Sequence, residues 1–145
     1  MKRLYILFTV IVVMVGALFA GHGALAKVLT GTAGNDTLVG TDGKDRLDGR
    51  GGDDEIEGDG GEDRLKGRGG DDEIEGGSGN DEIFPGEGDD NVDAGAGNDL
   101  IYARDSDGVD YIDCGGGFDK VETIHRDDRT KSNCERALGP RQGDI

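Results

Sequence analysis

Aspartate recurs every nine residues through most of this chain: Asp36, Asp45, Asp54, Asp63, Asp72, Asp81, Asp90 and Asp99. After a slip of two residues the series resumes at Asp110 and Asp119. Carboxylates in such a column can bind cations, pair as acid and base, or simply face water. Solvation suits Glu57, Glu75 and Asp93, but not a column with no substitution in ten units. Glycine stands two residues before each aspartate. A large aliphatic stands two residues after it: Leu38, Leu47, Ile56, Leu65, Ile74, Ile83, Val92, Ile101, Ile112 and Val121.

The elements that position these aspartates follow from the spacing. From Gly31 the chain divides into GTAGNDTLV, GTDGKDRLD, GRGGDDEIE, GDGGEDRLK, GRGGDDEIE, GGSGNDEIF, PGEGDDNVD and AGAGNDLIY, ending at Tyr102. Ala103 and Arg104 intervene, and DSDGVDYID and CGGGFDKVE carry the pattern to Glu122. The first six residues of a unit hold glycines where the chain must turn sharply. The last three alternate polar, aliphatic, polar, which is a very short strand with one side chain facing inward. One aliphatic in nine excludes an amphipathic helix. GRGGDDEIEG occurs identically at 49–58 and 67–76, and Glu55 and Glu73 alternate with Arg46 and Arg64 at the seventh position. Two units therefore make one full turn, so that units two apart stack. Nine residues before Leu38 stands Leu29, so Val28-Leu29-Thr30 is expected as a strand without its loop.

This tandem pattern resembles the RTX-type, or hemolysin-type, nonapeptide G-G-x-G-x-D-x-U-x. The resemblance covers residues 31–102 and 105–122. It implies an all-β protein, a right-handed parallel β-roll (a β-solenoid) with calcium ions between successive turns. It also implies that Asp36, Asp45, Asp54, Asp63, Asp72, Asp81, Asp90, Asp99, Asp110 and Asp119 supply side-chain oxygens while loop carbonyls complete each shell. Pairing each unit with the one two further on gives six candidate inter-turn sites within the eight continuous units. The first position departs from glycine at Pro85, Ala94, Asp105 and Cys114, and the second at Thr32, Thr41, Arg50, Asp59, Arg68 and Ser106. Val109 and Phe118 replace the polar fifth residue in the last two units. These departures bear on the occupancy of single sites rather than on the fold.

The chemistry of the residues agrees with calcium. It takes six to eight oxygen ligands in flexible geometry, whereas magnesium demands a tight octahedron and softer metals want His or Cys. Ten aliphatic side chains are a thin core for so glycine-rich a chain, and stacking brings like charges together. Ion binding and folding are therefore expected to be one process.

The bulk properties bound the rest. The chain has 145 residues, consistent with one domain, and a formal charge of −16, which argues against nucleic acid as a partner. Lys2 and Arg3, an apolar run from Leu4 to Ala20, and Ala24-Leu25-Ala26 make a secretory signal peptide over residues 1–26. Cleavage leaves no membrane span, takes the charge to −18 and predicts a secreted, extracellular protein. In that setting Cys114 and Cys134 are expected to form a disulfide. A zinc site with His125 would have too few ligands. Sequences of this simple repeat kind often end in a Cys-anchored stretch, so residues 123–136 are expected to cap the roll and 137–145 to form a loose tail.

Enzymatic chemistry is not expected. His125 with Ser132 or Ser106 lacks any nucleophile-elbow motif, HExxH is absent, and no tryptophan lines a sugar cleft. Phe84 and Tyr102 fall in one outward column at the 18-residue spacing. They are read first as a packed pair, and otherwise as a docking patch for a cell-surface glycan or protein. The expected function is that of a secreted calcium-binding protein with a structural, surface or buffering role.

Overall fold

A computed structural model describes residues 25–104, 108–123 and 128–138, and the structural statements below concern these. Residues 1–24 of the expected signal peptide, Asp105, Ser106, His125 and residues 139–145 of the expected tail lie outside them.

The described chain is all β, with thirteen short strands in two parallel sheets. The odd strands form one sheet: β1 (Val28–Thr30), β3 (Arg46–Asp48), β5 (Arg64–Gly69), β7 (Glu82–Glu87), β9 (Leu100–Ala103), β11 (Lys120–Thr123) and β13 (Glu135–Leu138). The even strands form the other: β2 (Thr37–Thr41), β4 (Glu55–Asp59), β6 (Glu73–Glu75), β8 (Asn91–Asp93), β10 (Tyr111–Asp113) and β12 (Arg129–Thr130). Consecutive strands thus lie in opposite sheets, and two nine-residue units make each turn of the solenoid. The register is 18 residues, with Leu47 beside Leu65 and Ile56 beside Ile74. β1 pairs with β3 through Leu29 and Leu47, as the isolated Val28-Leu29-Thr30 predicts.

The pleat explains the core. Alternation sends only the eighth residue of each unit inward. Leu47, Leu65, Ile83, Ile101 and Val121 face Leu38, Ile56, Ile74, Val92 and Ile112, and all but Leu38 are at most 2% exposed. Ala94, Ala103 and Cys114 complete the same cluster near its C-terminal end.

Two departures from strict repetition are absorbed. The two extra residues of the sequence fall between Ile101 of β9 and Ile112 of β10, with Ala103 itself in β9, so Asn91 pairs with Tyr111 and Leu100 with Lys120 across 20 residues instead of 18. The strands on both sides keep their facing. Beyond Glu122, β12 and β13 add one more strand to each sheet, and the Cys114–Cys134 disulfide ties this last coil to the core.

From the third unit on, the described turns take left-handed backbone at their second and fourth positions. At the second position Gly77, Gly86 and Gly95 adopt φ of 97°, 122° and 90°, but so do Arg50 at 83°, Asp59 at 69° and Arg68 at 85°. A side chain there costs about 1–2 kcal/mol. Arg68 gains a compensating two-pronged bond to Asp48, Nε to Oδ1 at 2.5 Å and Nη2 to Oδ2 at 2.6 Å. Glycine would remove the strain but costs roughly 0.5–1 kcal/mol of chain entropy. Arg50→Gly is therefore expected to stabilise the folded protein by about 0.5–1 kcal/mol, the difference between those effects. Urea unfolding at saturating calcium measures it, and a loss of stability would contradict the strain argument.

Candidate metal centre

Each sixth-position aspartate sits where a glycine turn enters a strand, so its side chain is held between one coil and the next. Asp36, Asp54, Asp72, Asp90 and Asp110 line the corner that feeds the even sheet. Asp45, Asp63, Asp81, Asp99 and Asp119 line the corner that feeds the odd sheet. All but Asp36 are at most 3% exposed. The sequence thus placed ten acids in two stacks, and the structure brings each into hydrogen-bonded succession.

One oxygen of each carboxylate has a structural task. Oδ1 of Asp54 accepts the Asp36 backbone N–H at 2.8 Å, Oδ1 of Asp63 that of Asp45 at 2.7 Å, and Oδ1 of Asp81 that of Asp63 at 2.8 Å. The ladder continues through Asp72, Asp90 and Asp99, and at 2.9 Å from Asp99 to Asp119. It crosses the longer turn, where Asp110 accepts from Asp90 at 3.2 Å. The acceptor always belongs to the later coil.

The second oxygen distinguishes the units. Oδ2 of Asp54, Asp63, Asp72, Asp81, Asp99 and Asp119 is buried without a hydrogen-bond partner. Leaving a buried carboxylate oxygen unpaired is costly, so each calls for a proton or a cation. Asp36 and Asp45 differ. Thr32 donates its N–H at 2.6 Å and its hydroxyl at 2.9 Å to Oδ2 of Asp36. Thr41 does the same for Asp45, at 2.5 and 2.9 Å.

The surroundings of these oxygens suit a hard cation. At the first position of the unit, glycine leaves an open cradle beside the carboxylate. A Cβ on Gly58 would lie 2.8 Å from Asp63 Oδ2 and closer still to the Gly76 carbonyl of the next coil. A Cβ on Gly76 would lie 2.9 Å from Asp81 Oδ2 and again press on the following carbonyl, that of Ala94. A carboxylate from one coil and a carbonyl from the next therefore border the same space. Among the described residues no three acidic, histidine or cysteine side chains converge as a site of their own. The donor set is oxygen only and part backbone, which fits calcium better than zinc or copper.

Burial has its electrostatic consequence. It pushes the carboxyls of Asp63, Asp72 and Asp99 up to about 6 and that of Asp81 up to about 7, and it raises Asp54 as well. The backbone N–H of the preceding coil pulls each back down, and neighbouring aspartates add to the rise. An acid whose folded pKa is raised favours the fold while protonated. The ionisation penalty is absent below about 4 and complete above about 7. Calcium-depleted protein is expected to show more β-sheet circular dichroism at about pH 4.5 than at about pH 8. The opposite order would mean that these carboxylates ionise without cost to the fold.

Three features were not anticipated in the sequence. Asp128 extends the even-corner stack: it is 6% exposed and its Oδ1 accepts the Asp110 N–H at 3.4 Å. The spacing of 18 from Asp110 carried that signal, but Thr130 replaces the aliphatic that marks a unit. The fifth positions form a second ladder, in which Asp53 Oδ1 accepts the Asp71 N–H at 3.1 Å and Asp71 Oδ1 that of Asp89 at 2.9 Å. Here the acceptor belongs to the earlier coil, so the two ladders run in opposite senses. The threonine contacts to Asp36 and Asp45 are the third.

The other sequence candidates fall away from this centre. Cys114 and Cys134 are bonded to each other. Phe84 and Tyr102 stack with ring centroids 4.8 Å apart and planes 11° apart. Arg64 lies 4.9 Å from the Phe84 centroid and Arg104 5.8 Å from that of Tyr102. Ser132 is exposed.

A parallel solenoid whose turns bury columns of carboxylates defines a repeat protein with oxygen donors stacked from coil to coil. The sequence matches the family described as RTX calcium-binding nonapeptide repeat (4 copies) over residues 30–65, 57–92 and 84–121, and the chain belongs to that family. Searches of curated proteins and of solved structures found no match. Repeats of this kind bind calcium, and such solenoids are structural rather than enzymatic domains.

Proposed function

We propose that this is a secreted calcium-binding protein whose coils order around Ca²⁺ held by sixth-position aspartates, with a structural, surface or buffering role. The observation that carries the reading is the set of buried, unpartnered Oδ2 atoms facing backbone carbonyls of the adjacent coil. Calcium supplies the positive charge that satisfies them. The chain's own part is to hold Oδ1 on the neighbouring amide, which fixes the rotamer, and to keep the glycine cradle open. Export is supported by the signal-like residues 1–26 and by the disulfide, which needs an oxidising compartment.

Calcium-dependent recognition of a cell-surface glycan or protein through Phe84 and Tyr102 is the other reading. The stacking weighs against it. A sugar platform needs an open ring face, but Tyr102 and Arg64 crowd Phe84. Calorimetric titration of calcium-depleted protein tests the first reading, with magnesium as control. Several calcium ions should bind in one cooperative transition. No heat with calcium, or equal heats with both metals, would sink the proposal.

A further inference from the structure

The ten aspartates of the column are not equivalent, and two local features sort them. Asp54, Asp63, Asp72 and Asp81 combine an unpartnered Oδ2 with glycine at the first position of the unit: Gly49, Gly58, Gly67 and Gly76. No other described unit has both.

Toward the N-terminus the cradle is present but the carboxylate is already satisfied. Thr32 and Thr41 each give Oδ2 a backbone N–H and a hydroxyl. Lys27 adds to this. Its Nζ donates to the carbonyl of Gly40 at 2.8 Å and to that of Val39 at 3.1 Å. Gly40 is a first-position residue, so an ammonium group covers the carbonyl that a preceding coil's cation would otherwise meet. Toward the C-terminus the carboxylates of Asp99 and Asp119 are unpartnered but the cradle is filled. Pro85, Ala94 and Cys114 occupy the first position, and all three are buried. A Cβ at that position in the glycine units would crowd both the carboxylate and the facing carbonyl. Those two oxygens therefore cannot converge in the same way where the Cβ is real. The disulfide at Cys114 holds this end instead.

We propose that the chain binds four calcium ions, on Asp54, Asp63, Asp72 and Asp81, and that the coils on either side are built to close without one. The inference rests on the calcium-binding reading above and gives it a location and a number. The middle of the solenoid is mineral-held. Its N-terminal end is closed by threonine and lysine, and its C-terminal end by apolar first-position side chains and a covalent bond.

Native mass spectrometry of the full chain across a calcium titration tests this. The wild-type chain should saturate at four ions. Thr41→Gly, which takes the hydroxyl from Asp45 Oδ2 and admits the left-handed second position of the middle units, and Ala94→Gly, which opens the cradle beside Asp99, should each saturate at five. Gly58→Ala should saturate at three. Its methyl repeats what Ala94 already carries, but it would lie 2.4 Å from the Gly76 carbonyl oxygen, so the backbone there must shift. Should Gly58→Ala not fold, the two gains decide the matter. Any wild-type count other than four, or glycine variants that keep the wild-type count, overturns the inference while leaving calcium binding intact. A chain that takes up no calcium overturns the proposed function and this inference together.

Discussion

Chelation of calcium is expected to collapse the β-sheet circular dichroism of the protein at neutral pH. Restoring calcium, but not magnesium, is expected to rebuild it in one cooperative step. The reason lies in how little else the coil has. Each nine-residue unit buries one aliphatic side chain, and the strands that carry them are mostly three to six residues long. Against that stand stacked, buried carboxylates whose second oxygens have no protein partner. A cation bound only by the folded form contributes about 2.7 kcal/mol per site at a hundredfold excess over Kd. Four such sites contribute roughly 11 kcal/mol, within the whole net stability of an ordinary domain, about 5–15 kcal/mol. Magnesium should fail because a loop carbonyl and a stacked carboxylate make a loose oxygen cage rather than a small octahedron. A folded spectrum that ignores chelator would contradict the account.

Gly79→Ala is expected to be among the most damaging single-methyl changes, costing more than about 4 kcal/mol and in practice preventing the calcium-induced transition. Gly79 holds φ at 137°, where an L side chain is strained. A Cβ there would lie 1.4 Å from the Gly61 carbonyl oxygen, well inside any tolerable contact. The neighbour cannot yield, because the Gly61 N–H is itself bound to the Ser78 carbonyl at 2.8 Å. The coils are stacked backbone on backbone at this corner, with no flexible side chain to move aside. Gly69→Ala is the matched control, since its Cβ would meet nothing within 4 Å. It should change stability by no more than about 0.5 kcal/mol. Calcium titrations followed by circular dichroism compare the two. Equal midpoints for both variants would mean that the corners are looser than described.

What the sequence disclosed depended on whether a feature repeats. The 18-residue stacking is legible because the decapeptide at 49–58 recurs at 67–76 and because the sign of the seventh residue alternates. That same spacing places Phe84 over Tyr102. The inward column is legible because only one aliphatic per unit is available to fill it. Features made by single residues were not legible. Thr32 and Thr41 look like mere departures from glycine until the fold sets their hydroxyls against Asp36 and Asp45. Asp128 was hidden because Thr130, beside Ile112, does not mark a unit. The opposed senses of the fifth- and sixth-position ladders depend on side-chain rotamers, which no spacing encodes.

The lengthened connection between β9 and β10 has a practical implication. Two added residues there leave every strand on both sides in its proper facing. Coil circumference can therefore vary at that bend without disturbing the stack. Exposed Arg104, just past the buried Ala103, is thus the natural splice point for an epitope, a tag or a whole guest domain.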